Sequence, residues 1–238
     1  MINNELKKRI FTSIILLSLL TAMYFYTFIM IGSMMIIAII IWIEFYALIS
    51  KIIKGNRYQD HFFRYISKSA SLLYLSIFVY FIFIIESDYT NLKIYLLYSV
   101  LVAILSDIGG LVFGKTFKGK KLTKISPNKT ISGSIGSIVL SMVLIPIFYN
   151  EVIIYDLLTL IILTIVISLI SQIGDLFISL LKRKAKVKDT SDLLPGHGGL
   201  LDRMDGIIFA VPLGILLLNF LNKYEKKNST FRLDRFNW

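Results

Sequence analysis

Residues 10–50 read IFTSIILLSLLTAMYFYTFIMIGSMMIIAIIIWIEFYALIS, and Glu44 is the only charge among them. Crossing a membrane's hydrocarbon core takes roughly 20 helical residues at about 1.5 Å each. The stretch is too long for one crossing and predicts two spans, turning near 26–32. Five more apolar runs follow, at 69–85, 94–114, 130–149, 157–181 and 207–221. The run at 94–114 is interrupted near its end by Ser106, Asp107, Gly109 and Gly110. The expected fold is all-α, a polytopic transmembrane helical bundle of about seven to nine spans. Residues 1–238 form a single integral membrane domain on this reading. Residues 1–105 supply N-terminal spans, 106–206 the region that carries chemistry, and 207–238 a last apolar segment with a basic tail.

Composition points the same way. The chain has 238 residues, 56% hydrophobic and 17% charged, against about 45–50% and about 25% in soluble domains. Lys and Arg number 26 against 15 Asp and Glu, a net +11. In a soluble chain this would suggest nucleic acid. Here the cations cluster in loops at 51–68, 115–129 and 182–205, beside apolar runs, as cytoplasmic loops do. No nucleic acid is expected as a partner; anionic membrane lipid is. With the N-terminus cytoplasmic, alternation places all three loops on the cytoplasmic face of a bacterial-type inner membrane. The turns at 86–93 and 150–156 then fall outside. An odd span count also puts the basic tail outside, against the same rule. The absence of Cys excludes disulfides, thiol catalysis and thiolate metal sites. The start, MINNELKKRIFTS, runs into apolar sequence without a small-residue cleavage site and reads as a retained first span.

Ionised side chains near a bilayer core cost at least about 2.5–3.5 kcal/mol on insertion scales, so they invite a functional reading. Asp107 and Asp175 each end an apolar run beside Gly or Ser. The plainer reading of both is a hydrated carboxylate at the interface. Ser171-Gln-Ile-Gly-Asp175 brings small and hydrogen-bonding groups to one helix end, which allows close helix approach and a polar lining.

The densest charge lies at 182–206, KRKAKVKDTSDLLPGHGGLLDRMDG. If 200–206 is helical, Asp202 and Asp205 share a face. Paired carboxylates suit a hard cation such as Mg²⁺. Lys182, Arg183, Lys188 and Arg203 would suit a polyphosphate, and Gly196, Gly198 and Gly199 allow backbone N–H groups to turn toward anionic oxygens. Metal-binding acids, cations and a glycine-rich turn are what phosphoryl-type transfer uses. Taken singly, Lys182-Arg183 also reads as a stop-transfer pair, His197 as a turn residue, and Asp202 and Asp205 as acids favoured near a helix start.

As one string, 179–205 runs S-L-L-K-R-K-A-K-V-K-D-T-S-D-L-L-P-G-H-G-G-L-L-D-R-M-D. It resembles the phosphatidate cytidylyltransferase signature of S-x-x-K-R, K-D, P-G-H-G-G and D-R-x-D. Residues 106–136, SDIGGLVFGKTFKGKKLTKISPNKTISGSIG, are similar to the same family's D-x-G-A/G, F-G-K and I-S-P-x-K-T segment. The departures are Ser132 and Ile178 where the family usually has acids, and Lys186 where it often has Gly. The resemblance implies conversion of CTP and phosphatidate to CDP-diacylglycerol and pyrophosphate. It implies catalytic roles for Lys188, Asp189, Asp202, Arg203 and Asp205. Lys129, Lys182, Arg183, His197, Gly198 and Gly199 would bind phosphate or nucleotide. It also implies Mg²⁺ on Asp175 and Asp202, with Asp205 and Asp107 as helpers, and allows a second cation. A homodimer is compatible with the sequence. Two rivals are an ion-coupled transporter using Asp107 and Asp175, and a CDP-alcohol phosphatidyltransferase. The first leaves the 188–205 string unexplained, and the second's D-G…A-R…G…D…D pattern is absent.

Overall fold

The computed structural model describes residues 4–88, 90–123, 126–152, 156–195 and 198–235. Among them the chain is all-α, with two isolated β-bridges, Lys121↔Thr130 and Leu194↔Gly198, and no named strand. The helices are α1 (Asn4–Phe25), α2 (Thr27–Ile52), α3 (Tyr58–Asp88), α4 (Thr90–Phe117), α5 (Ile131–Ser141), α6 (Leu144–Phe148), α7 (Leu157–Lys184), α8 (Leu201–Met204) and α9 (Ile207–Arg235). Five described helical stretches are long and apolar enough to cross a membrane: Thr27–Ile52, Lys93–Phe117, Ile131–Phe148, Leu157–Lys184 and Leu201–Leu221. Ile10–Phe25 is a shorter apolar helix. The chain is an integral membrane protein.

The expected turn after the first span falls at Tyr26, which has extended backbone (φ −122, ψ 106) between α1 and α2. Three boundaries differ from expectation. The basic stretch 51–68 is not all loop, because α3 begins at Tyr58 and continues into the apolar run; local polarity there marks an exposed helical end. Helix α4 passes unbroken through Ser106–Gly110. Residues 130–149 form two helices, α5 and α6. Pro146 has no N–H for the Met142 carbonyl, which accepts from Ile145 instead.

The fold has two compact units, Met1–Asp88 with Phe177–Asp205, and Tyr89–Leu176 with Gly206–Trp238. In the first, α2 packs with α1, α3 and α8. Trp42 Nε1 donates to the Lys68 carbonyl at 3.2 Å, and the Lys68 ammonium lies 3.2 Å from the centre of the Tyr46 ring.

In the second unit α4 packs against α5 and α9. The glycines that looked like an interruption permit this contact: a Cβ on Gly109 would overlap the Gly136 carbonyl oxygen and lie 2.9 Å from Ser137 Cα. Polar side chains bond across the interior of this unit. Tyr98 Oη lies 2.6 Å from Thr164 Oγ1, Ser106 Oγ 2.9 Å from Ser168 Oγ, and Ser134 Oγ donates to Gln172 Oε1 at 2.5 Å. Such pairs satisfy groups that lipid cannot.

Candidate active site

In the first unit the site starts where α7 stops. The Val187 N–H donates to the Lys182 carbonyl and the Lys186 N–H to the Arg183 carbonyl. This is a Schellman end, which needs a left-handed residue just past the helix. Lys186 fills that position with φ 57, giving a physical reason why glycine would suit it. The chain then folds back on itself. Leu194 and Gly198 exchange backbone hydrogen bonds at 2.8 and 3.1 Å, and Gly198 has φ 81. L-residues with a side chain rarely adopt that conformation.

Asp202, in the first turn of α8, closes the loop. Its Oδ1 accepts from Lys182 Nζ at 2.7 Å. Its Oδ2 accepts from the backbone N–H groups of Thr190 (2.8 Å) and Gly199 (2.9 Å). The Asp202 side chain is 5% exposed and that of Lys182 14%. The two are thus a largely desolvated ion pair, with the carboxylate's remaining capacity filled by backbone.

The loop is also tied to α2. Glu44, 5% exposed, accepts from Ser191 Oγ (2.5 Å) and Leu200 N (3.0 Å) on Oε1. On Oε2 it accepts from Thr190 Oγ1 and Leu201 N, both at 2.8 Å. Thr190 Oγ1 also lies 3.0 Å from Asp202 Oδ2. A hydroxyl carries one hydrogen. Each carboxylate has three other donors, and the hydrogen is assigned to the shorter contact, 2.8 Å to Glu44. Gly199 sits between these groups. A Cβ there would overlap Thr190 Oγ1 and come within 2.6 Å of Glu44 Oε2.

Of the residues singled out from sequence, Lys182, Gly198, Gly199 and Asp202 meet in this loop. Asp189 lies beside it, its Cβ 3.2 Å from where a Gly198 Cβ would be. Arg183, Lys188 and Arg203 are exposed, and Asp205 is buried at 6% exposure. Gly196 and His197 lie outside the described residues. Ile178, standing where the family's acid is expected, is buried at 2% exposure.

In the second unit Lys129 and Asp175 form an ion pair with side chains 26% and 23% exposed. The turn from Ser126 to Lys129 presents the lysine, and Thr130 caps α5 by accepting from the Gly133 N–H at 3.1 Å. Ser132 Oγ donates to the Lys118 carbonyl. Asp107 is part-buried on α4, beside the Ser106–Ser168 pair.

Glu44, Thr190 and Ser191 were not singled out from sequence. The signal for Glu44 was present. It is the lone charge of residues 10–50, and the insertion cost applied to Asp107 and Asp175 applies to it as well.

Carboxylate oxygens are the donors Mg²⁺ prefers. Asp202 and Asp175 already have partners, each within its own unit. Asp202 is closed by Lys182 and two N–H groups, Asp175 is paired with Lys129, and within either unit no group of three His, Asp or Glu among the described residues could hold a metal.

These features define an integral membrane protein whose charged loop is anchored to its own membrane helices. The chain belongs to the cytidylyltransferase family, whose model matches residues 1–221. It is 43% identical over 127 residues to a phosphatidate cytidylyltransferase of Staphylococcus haemolyticus (strain JCSC1435), covering 52% of this chain and 48% of that protein. It is 41% identical over 143 residues to a phosphatidate cytidylyltransferase of Bacillus subtilis (strain 168), covering 59% and 53%. The match spans about half the length of these curated relatives.

Proposed function

We propose that the chain transfers a cytidylyl group from CTP to phosphatidate, giving CDP-diacylglycerol and pyrophosphate. The observation that carries this reading is that Lys182, Gly199 and Asp202, from three of the motif blocks, meet in one hydrogen-bonded loop with Asp189 beside it, in a chain whose relatives bear that activity's name. A phosphate oxygen of phosphatidate attacks the α-phosphorus of CTP. The bond from that phosphorus to the bridging oxygen breaks, and pyrophosphate leaves. A phosphate monoester is already anionic at neutral pH, so no protein nucleophile is needed. The protein's task is to position groups and balance charge. Lys182, held by Asp202, is the fixed cation of the loop. Arg183, Lys188 and Arg203 are exposed and are assigned here to the triphosphate, and Lys129 is the corresponding cation of the second unit.

The test is pyrophosphate release from CTP by detergent-solubilised protein. Release is expected only when phosphatidate is present. Release without lipid, or none with it, would overturn the reading. An EDTA arm with Mg²⁺ restored reads the expected metal requirement in the same assay.

The active loops are proposed to face the cytoplasm, from the Lys and Arg excess at 115–129 and 182–205. The chain has no cysteine of its own. Lys120→Cys and Lys184→Cys are therefore expected to react with an impermeant maleimide from the same side, the inner one. Labelling from opposite sides would refute the arrangement.

A further inference from the structure

We infer that Glu44 is a positioning residue for the cytidylyl transfer proposed above, setting the geometry of the phosphate-handling loop from the middle of the N-terminal apolar sequence. The inference rests on that functional reading and extends it to a residue outside the motif-bearing region.

Four donors converge on the Glu44 carboxylate, and all four are uncharged: two hydroxyls, Thr190 and Ser191, and two backbone N–H groups, Leu200 and Leu201. The N–H groups at a helix start have no partner within the helix, and those of Leu200 and Leu201 are such groups at the start of α8. Glu44 supplies the missing acceptors from a helix about 150 residues away in sequence. Its partners stand on both sides of the 192–199 segment, so one side chain fixes where that segment leaves and where it returns. Between them lie Gly199, whose N–H holds Asp202, and Thr190, whose N–H holds the same oxygen. Asp202 in turn holds Lys182. Glu44 thus reaches the loop's fixed cation through three successive hydrogen bonds, by way of Thr190 and Asp202, and acts on chemistry without touching substrate.

A carboxylate is required by this arrangement. Glu44→Gln keeps one oxygen and turns the other into an NH₂ donor. The hydroxyls of Thr190 and Ser191 can rotate and accept from it. A backbone N–H cannot, so Leu200 or Leu201 loses its acceptor in either amide orientation. An N–H left buried and unpaired is costly enough to displace the α8 start.

The experiment pairs turnover with amide hydrogen exchange of the full-length protein in detergent, read on the peptide covering 198–204. For Glu44→Gln, exchange at Leu200 and Leu201 is expected to quicken, and kcat to fall by about tenfold to a hundredfold, while KM for CTP changes little and the protein remains folded at the assay temperature. Unchanged exchange overturns the clamp, whatever happens to turnover. Faster exchange with unchanged kcat overturns the positioning role. Should Glu44→Gln fail to fold, Glu44→Asp keeps the charge but draws both acceptor oxygens back by one methylene from the Leu200 and Leu201 N–H groups, and the same two readouts apply. The exchange arm needs no substrate. A wild-type protein inactive toward CTP and phosphatidate would therefore refute the assigned reaction and leave the clamp to be judged on exchange alone.

Discussion

Asp202→Asn is expected to reduce pyrophosphate release from CTP by at least about a hundredfold. The carboxylate accepts from Lys182 on one oxygen and from two backbone N–H groups on the other. An amide presents one oxygen and one NH₂. In one orientation the NH₂ faces the Lys182 ammonium; in the other it faces the Thr190 and Gly199 N–H groups. Donor meets donor either way, and Lys182 keeps a largely desolvated charge with no counter-charge on residue 202. Breaking a buried ion pair from one side costs about 3–5 kcal/mol, and every 1.36 kcal/mol that reaches the transition state is about tenfold in rate. Lys182→Met should also be severe, since it removes the loop's fixed cation. The double variant should lose less than the sum of the two, because contacting residues couple by about 0.5–3 kcal/mol. Turnover and thermal midpoints of the two singles and the double test this. Wild-type turnover in Asp202→Asn would remove the residue from the site, and strict additivity would deny the pairing.

Gly199→Val is expected to fall nearly as far, and Gly199→Ala part of the way. Sequence alone motivates a glycine here by close backbone approach to phosphate. The structure supplies a different and sufficient reason, since the space a Cβ needs is held by Thr190 Oγ1 and the Glu44 carboxylate. Neither can step aside without giving up hydrogen bonds of its own. Overpacking of this kind costs about 1–3 kcal/mol, or about tenfold to a hundredfold if borne at the transition state. Gly198 differs in kind. Its φ of 81 is strained for any side chain, while a Cβ there would stand 3.1 Å from Asp202 Oδ2 and 3.2 Å from Asp189 Cβ. Near-normal turnover with Val at 199 would show that the loop is looser than these contacts require.

The membrane character of the chain and its helical content were legible in the sequence because hydrophobicity accumulates residue by residue. An apolar run such as 27–52 has one way to satisfy its backbone in lipid, whatever the rest of the chain does. The break at Tyr26 and the order of motif blocks in 179–205 could be read for the same local reason. Residues 58–68 and 106–110 misled, since polarity and glycine mark loops on average and here mark an exposed helical start and a close helix crossing. The acids were legible as expensive groups, but their partners were not. Asp202 finds Lys182 twenty residues back, Asp175 finds Lys129 forty-six residues away, and Glu44 finds Ser191 and Leu201 across 147 and 157 residues. The cost of burying a charge depends on the residue and its surroundings in the chain, and so it can be read along a sequence. The identity of the donors that offset the cost depends on which distant segments the fold brings within about 3 Å, and only the tertiary structure decides that.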